Sequence, residues 1–204
     1  MANIVGIVYN QNEEIYNLEN YNHEKKFRLN REGGGVSLLL DENIQYNNRE
    51  DLSTFNDTIE SIFVEINNVS NGPNTVVGAI YRPPGTNLDL FNEELESILE
   101  KIKHEKKTCY LLGDFNINLL HCDTHAASSD FINLLYSYLF LPCINRPTRI
   151  TERSATLIDN IFTNNINNEE LVINGILYND ISDHCPVFHI SHSCEIHINE
   201  TQRI

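Results

Sequence analysis

The spacing of apolar positions changes several times along the chain, and each change marks an element. Gly33-Gly34-Gly35 leads into Val36-Ser37-Leu38-Leu39-Leu40, a strand entry. Ile62, Val64 and Ile66 alternate within residues 59–66, and residues 75–81 are β-branched and apolar. The two stretches read as strands joined by a turn at Asn71-Gly72-Pro73. From residue 88 to 104 the period becomes helical, with Leu88, Phe91, Leu95, Ile98, Leu99 and Ile102 on one stripe. Glu93, Glu94, Glu96, Glu100, Lys101 and Lys103 lie between them, which predicts an amphipathic helix. Residues 108–112 form a short apolar strand ending at Gly113, and residues 130–139 offer a second helix stopped near Pro142. Strands are predicted at 155–163, 171–178 and 185–190. The pairs Asn47-Asn48, Asn67-Asn68, Asn164-Asn165 and Asn167-Asn168 read as turns. Mixed strands and helices in this order indicate an α/β sandwich. Regular β-α-β alternation, which a doubly wound sheet requires, is missing.

Composition narrows the class. A chain of 204 residues with 41% hydrophobic residues fits one domain with a sizeable core. No stretch approaches the roughly 18 apolar residues of a membrane span. Residues 1–11 lack a basic region and contain Asn3 and Asn10, so they do not read as a signal peptide. The expectation is an intracellular protein, nuclear or cytoplasmic, with no membrane contact. Cys109, Cys122, Cys143, Cys185 and Cys194 are odd in number and include no C-x-x-C pair. They read as reduced structural thiols, and the nearby histidines lack zinc-ligand spacing. The net charge of −15 counts against a strong nucleic-acid binder, because phosphate neutralisation drives that affinity. Such a chain must rely on bound cations and local basic residues.

Four polar constellations stand where chemistry would sit. In Leu111-Leu112-Gly113-Asp114-Phe115-Asn116 a strand runs into glycine, and two polar side chains two residues apart share a face. They suit a cation and a water, although an isolated G-D-x-N is also a common capped turn. In Ser182-Asp183-His184-Cys185-Pro186-Val187 an Asp-His pair precedes an apolar strand. In Thr156-Leu157-Ile158-Asp159-Asn160-Ile161-Phe162 a carboxylate interrupts an apolar pattern and needs a partner, commonly a histidine. In Tyr81-Arg82-Pro83-Pro84 a rigid turn presents Tyr81 and Arg82 at a strand end.

Taken in order, Y-R-P-P, G-D-F-N, T-L-I-D-N-I-F and S-D-H-C-P-V resemble the signature of the endonuclease/exonuclease/phosphatase superfamily. That superfamily includes apurinic/apyrimidinic endonucleases, deoxyribonuclease I and sphingomyelinases. With G-G-G-V and L-I-D-N-I-F-T-N added, the chain most resembles the endonuclease domains of non-LTR retrotransposons. The likeness runs from Arg31 to Ile190. It implies a two-sheet β-sandwich flanked by helices, of the deoxyribonuclease I kind, lacking its opening strand region. The family-like domain would cover residues 31–192, after a divergent segment at 1–30 and before a tail at 193–204. It also implies Mg²⁺- or Mn²⁺-dependent hydrolysis of a phosphodiester, with DNA as partner. Asp114 would activate the attacking water or assist the leaving oxygen, and Asn116 would help hold nucleophile and metal. His184 would contact the scissile phosphate, with Asp159 behind it. Tyr81 would hydrogen-bond a phosphate oxygen, and Asp183 would sit beside the metal.

The resemblance also implies an opening strand carrying Asn and a later strand ending in a metal-binding Glu, and neither is recognisable. Residues 4–9 (I-V-G-I-V-Y) stand where the Glu-bearing strand belongs, and the nearest acids are Glu13 and Glu14. The sequence is explained either as a piece of a longer element or as a decayed copy. Three functions stand: a DNA endonuclease, a phosphatase or phosphodiesterase on lipid or nucleotide substrates, and a non-catalytic fragment that binds a protein.

Overall fold

The computed structural model describes residues 4–5, 18–28, 35–68, 73–166, 170–178 and 182–193. The turn expected at Asn71-Gly72, the pair Asn167-Asn168, and Glu13 and Glu14 lie outside the described residues. In chain order the strands begin with β1 (Ile4–Val5), β2 (Tyr21–Lys26), β3 (Val36–Asp41), β4 (Tyr46–Asn48), β5 (Glu60–Ile66) and β6 (Thr75–Tyr81). Helix α1 (Leu88–Glu105), β7 (Thr108–Asp114) and helix α2 (Ala126–Ser137) follow. The chain then forms β8 (Leu141–Pro142), β9 (Arg149–Ile150), β10 (Ala155–Thr156), β11 (Asp159–Thr163), β12 (Glu170–Ile176) and β13 (Val187–Ser193).

Among the described residues one sheet has the order β4-β5-β6-β7-β11-β8 and a second the order β1-β3-β2. Alternation along the strands divides their side chains between two layers. Ile62, Val64, Val77 and Ala79 face the second sheet and meet Val36, Leu38 and Leu40. Phe63, Val76, Ile80, Leu111 and Phe162 face the helices and meet Leu95, Leu99, Phe131 and Leu135. The expected sandwich with flanking helices is what these two layers make.

Helix α1 forms where the stripe predicts it. Asn87 caps it by accepting from the N–H groups of Asp89 and Leu90, and Asp89 in the first turn and Lys103 and His104 in the last suit the helix dipole. Helix α2 begins at Ala126, four residues before the predicted start. His125 caps it through a ring nitrogen accepting from the Ser128 N–H, and the small residues Ala126 to Ser129 carry no apolar period to read. It ends with Leu139 in left-handed backbone, where glycine is usual, while the Phe140 N–H donates back to the Leu135 carbonyl.

Two sequence expectations are corrected, and one strand was not anticipated. Asn47 and Asn48 are not a turn but lie in edge strand β4, with amides reaching Asn67 and Glu24. The strand expected over 155–163 is two strands. At Leu157 and Ile158 the backbone leaves the ladder, because their carbonyls accept from Leu119 and Phe115. The polar residues before 31 include β2, whose six residues all pair with β3.

Among the described residues β6 and β7 form the parallel pair, linked by α1. Their register sets Gly113 against Ile80, and a Cβ at Gly113 would stand 1.8 Å from the Ile80 carbonyl oxygen. Only glycine permits this approach, since the obstacle is backbone. Gly113→Ala is therefore expected to cost about 1–3 kcal/mol by overpacking. Leu95→Ala, at a fully buried position, is expected to cost about 2–5 kcal/mol. Urea denaturation midpoints measure both.

Candidate active site

Register across the main sheet aligns four polar residues at one end of its strands. Glu60 pairs with Tyr81, Tyr81 with Asp114, and Asp114 with Asp159. Directly opposed residues point to the same face, so the four form a row. Two residues further along, Ile62, Ala79, Leu112 and Ile161 oppose one another in the same way and are apolar. The polar row therefore rims the layer between the sheets.

Asp114 is tied to the loop that follows it. The N–H of Asn116 donates to its Oδ1 at 2.8 Å, and Asn116 Nδ2 donates to its Oδ2 at 3.2 Å. Asn116 achieves this in left-handed backbone, at φ 49°, which asparagine tolerates better than most residues. The same Nδ2 donates to the Arg82 carbonyl, while Arg82 Nη1 returns a bond to the Asn116 carbonyl. Arg82 is buried beside the Phe91 ring and works as a brace between Y-R-P-P and G-D-F-N. Phe115 between the two polar residues turns into the core, 5.1 Å from Phe162 and 5.4 Å from Phe131 between ring centroids. Burial, with the Asp159 charge beyond it, pushes the Asp114 carboxyl up to about 6.

His184 reaches Asp159 from the segment before β13. Its Nδ1 lies 3.1 Å from both carboxylate oxygens. An ionised carboxylate only accepts, so Nδ1 carries the hydrogen and Nε2 is the nitrogen left to face a ligand. The hydrogen bond to Asp159 raises the imidazole above its ordinary value despite partial burial. The Oγ1 of buried Thr148 accepts from the Asp159 N–H at 3.0 Å and fixes the start of β11. Thr148 also takes the Cys185 N–H on its carbonyl, and Arg149 bridges to His184.

Of the residues singled out in the sequence, Tyr81, Asp114 and Asp159 share the row, His184 joins it through Asp159, and Asn116 adjoins Asp114. Asp183 is different. Its carboxylate accepts from Arg149 Nε at 2.7 Å, and it is not one of the three residues whose ligand atoms cluster. Sequence reasoning missed Glu60, Arg28, Thr148 and Arg149. Glu60 lacks the signal that exposed Asp159, because it lies between Ile59 and Ser61 at the polar start of its strand. Thr148 and Arg149 carry none, because their roles depend on tertiary contacts.

The sequence profile of the endonuclease-reverse transcriptase family matches residues 75–188, more than half of the chain. The chain belongs to that family. Its fold is that of the endonuclease/exonuclease/phosphatase superfamily, a superfamily of phosphodiester hydrolases. The endonuclease domain of TRAS1, a telomere-specific non-LTR retrotransposon, superposes with a TM-score of 0.68 at 14% identity, over 84% of this chain and 80% of that one. TDP2 of D. rerio, complexed with a single-strand DNA product, gives 0.57 at 13% identity over 84% and 76%. The mannosyl-6-phosphatase of Bacteroides thetaiotaomicron gives 0.54 at 17% identity over 86% and 78%. Among curated proteins no sequence matches the chain. No helix among the described residues is long and apolar enough to cross a membrane.

Members of this superfamily typically depend on a divalent metal. The residues present fit such an ion. Ligand atoms of Asp114, Asp159 and His184 lie within 4.8 Å of one another, and oxygen-rich sets suit hard cations. Asp114 is raised by burial first and by the Asp159 charge second, and a cation between the two carboxylates would relieve that charge.

A raised imidazole means that the folded chain holds this proton more tightly than the unfolded one. The stability contributed by the Asp159–His184 pair is therefore complete below the ordinary value of 6.5 and fades as pH rises through the raised value. In the metal-free protein, Asp159→Asn is expected to bring the His184 titration below its wild-type midpoint, because the hydrogen bond and the charge that raise it most are then lost while burial remains. Proton NMR of the imidazole measures it. An unchanged midpoint contradicts the pairing.

Proposed function

We propose that the chain is a metal-dependent phosphodiester hydrolase acting on DNA, of the kind found in retrotransposon endonucleases. The observation that carries this reading is the Asp159–His184 pair beside Asp114. The DNA partner is supported by the family match and by the retrotransposon endonuclease and DNA-complexed structures it resembles.

In this reading water attacks phosphorus and the bond to the leaving oxygen breaks. Asp114 takes the proton of the water as a carboxylate general base. Asn116 holds Asp114 in one rotamer through two hydrogen bonds. His184 turns Nε2 to a phosphate oxygen, and Asp159 keeps the imidazole charged and oriented while negative charge grows on phosphorus. Tyr81, next in the row, donates its hydroxyl to the phosphate. Mg²⁺ or Mn²⁺ held by Asp114 and Asp159, the two carboxylates of the cluster, would supply neutralisation of that charge. Asp183, expected beside the metal, acts instead by fixing Arg149.

The clustered set contains two carboxylates, so hydrolysis is expected to be slow. Supercoiled plasmid should relax only with Mg²⁺ or Mn²⁺, and Asp114→Ala or His184→Ala should each lower the rate by about 100-fold or more. Relaxation that survives both variants overturns the assignment. A second reading, a phosphatase of small phosphate esters, draws on the net charge of −15, which disfavours a polyanion. Turnover of a sugar phosphate without plasmid relaxation would favour it. Turnover of neither would favour the non-catalytic fragment.

A further inference from the structure

Two arginines flank the polar row, and the mechanism above uses neither directly. At the Glu60 end stands Arg28, just beyond β2. Its Nε donates to Glu60 Oε1 and its Nη2 pairs with the same oxygen, while Glu60 Oε2 accepts from the Gly35 N–H at 2.8 Å. Glu60 is fully buried at the start of β5. A buried ion pair of this kind is weak evidence for stability, since apolar residues of similar volume commonly do as well. What the pair achieves is position: it fixes a guanidinium beside Tyr81, whose phenol feels the Arg28 charge. At the other end Arg149 bridges to His184 and gives Nε to Asp183. In each case one edge of the guanidinium is held by a carboxylate. With the described residues, Arg28 Nη1 and both Nη groups of Arg149 form no hydrogen bond.

The spacing decides what such a pair can grip. From β5 to β11 the row crosses three strand intervals, about 14 Å. One phosphate group cannot reach both ends while also meeting Asp114 and His184 in the middle. We propose that Arg28 and Arg149 are substrate-binding residues that grip phosphates on either side of the reacting one. This rests on the hydrolase reading above and names two further residues that hold its substrate. It also accounts for how a chain of net charge −15 accepts a polyanion: repulsion at long range is offset by two fixed cations at the site.

Binding of a fluorescent duplex oligonucleotide, followed by anisotropy in EDTA across a range of salt, tests the proposal without turnover. Arg28→Gln and Arg149→Gln are each expected to weaken binding and to reduce the slope of log affinity against log salt by about 0.9, one phosphate contact. Arg→Lys at either position is expected to restore most of the slope, because a point charge suffices for phosphate. Lys103→Gln, which removes the same charge from α1, is the control and should leave the slope unchanged. Because Arg28→Gln strands a buried carboxylate, the paired change Arg28→Met with Glu60→Leu serves as a second variant and is expected to lose the same slope. Slopes equal to that of Lys103→Gln overturn the proposal, even if the protein nicks plasmid. A protein that loses slope as predicted but cleaves nothing upholds the phosphate grip and overturns only the hydrolase reading.

Discussion

Everything at the candidate site depends on how closely two parallel strands approach. β6 and β7 can pair with Tyr81 beside Asp114 only because Gly113 offers no side chain to the Ile80 carbonyl. Shift that register by one residue and Asp114 turns into the helix layer, while Phe115 turns toward the second sheet. The neighbours inherit the alignment: Glu60 lines up through β5 and Asp159 through β11. The Y-R-P-P turn is locked to the same point, since the Arg82 N–H donates to the Asp114 carbonyl. Backbone geometry thus determines which polar groups meet before any of their charges interact.

Charge then decides what those groups do. Asp114 and Asp159 face each other across a strand pair, partly out of water, so ionising both is costly and a proton or a cation relieves it. His184 draws on that surplus and becomes more basic. Arg149 and Arg28 stand outside it, each secured by a carboxylate of its own. The result is an acidic centre between cationic ends, on a protein whose overall charge is strongly negative. Net charge, read from composition, therefore says little about the local field at the rim.

The sequence was most legible where one physical rule acts locally. α1 was recoverable from its stripe to within a residue, and β6 from its β-branched run, because burial of one face fixes both patterns. Asp159 was recoverable from its intrusion into an apolar strand, and its partner from the need to compensate it. What remained hidden depended on contacts between distant segments. The break at Leu157 and Ile158 reflects carbonyls claimed by the G-D-F-N loop, and no pattern in those residues announces it. β2 was hidden because an edge strand with one solvated face can be built from Tyr21, Asn22, His23 and charged residues. Asp183 was legible as part of a motif but not in its orientation, which a neighbour outside that motif decides.

Phe115 carries a consequence of its own. It stands between Asp114 and Asn116, and its ring lies in an aromatic cluster with Phe131 and Phe162, from α2 and β11. The hydrophobic interior and the rim chemistry consequently share a single residue as their hinge. Substitutions that impair the site can therefore fall far from any polar group, in the helix and the strand that hold this ring. A chain so changed would keep every motif letter in place and still hold Asp114 and Asn116 out of alignment, so an intact signature does not by itself guarantee an intact site.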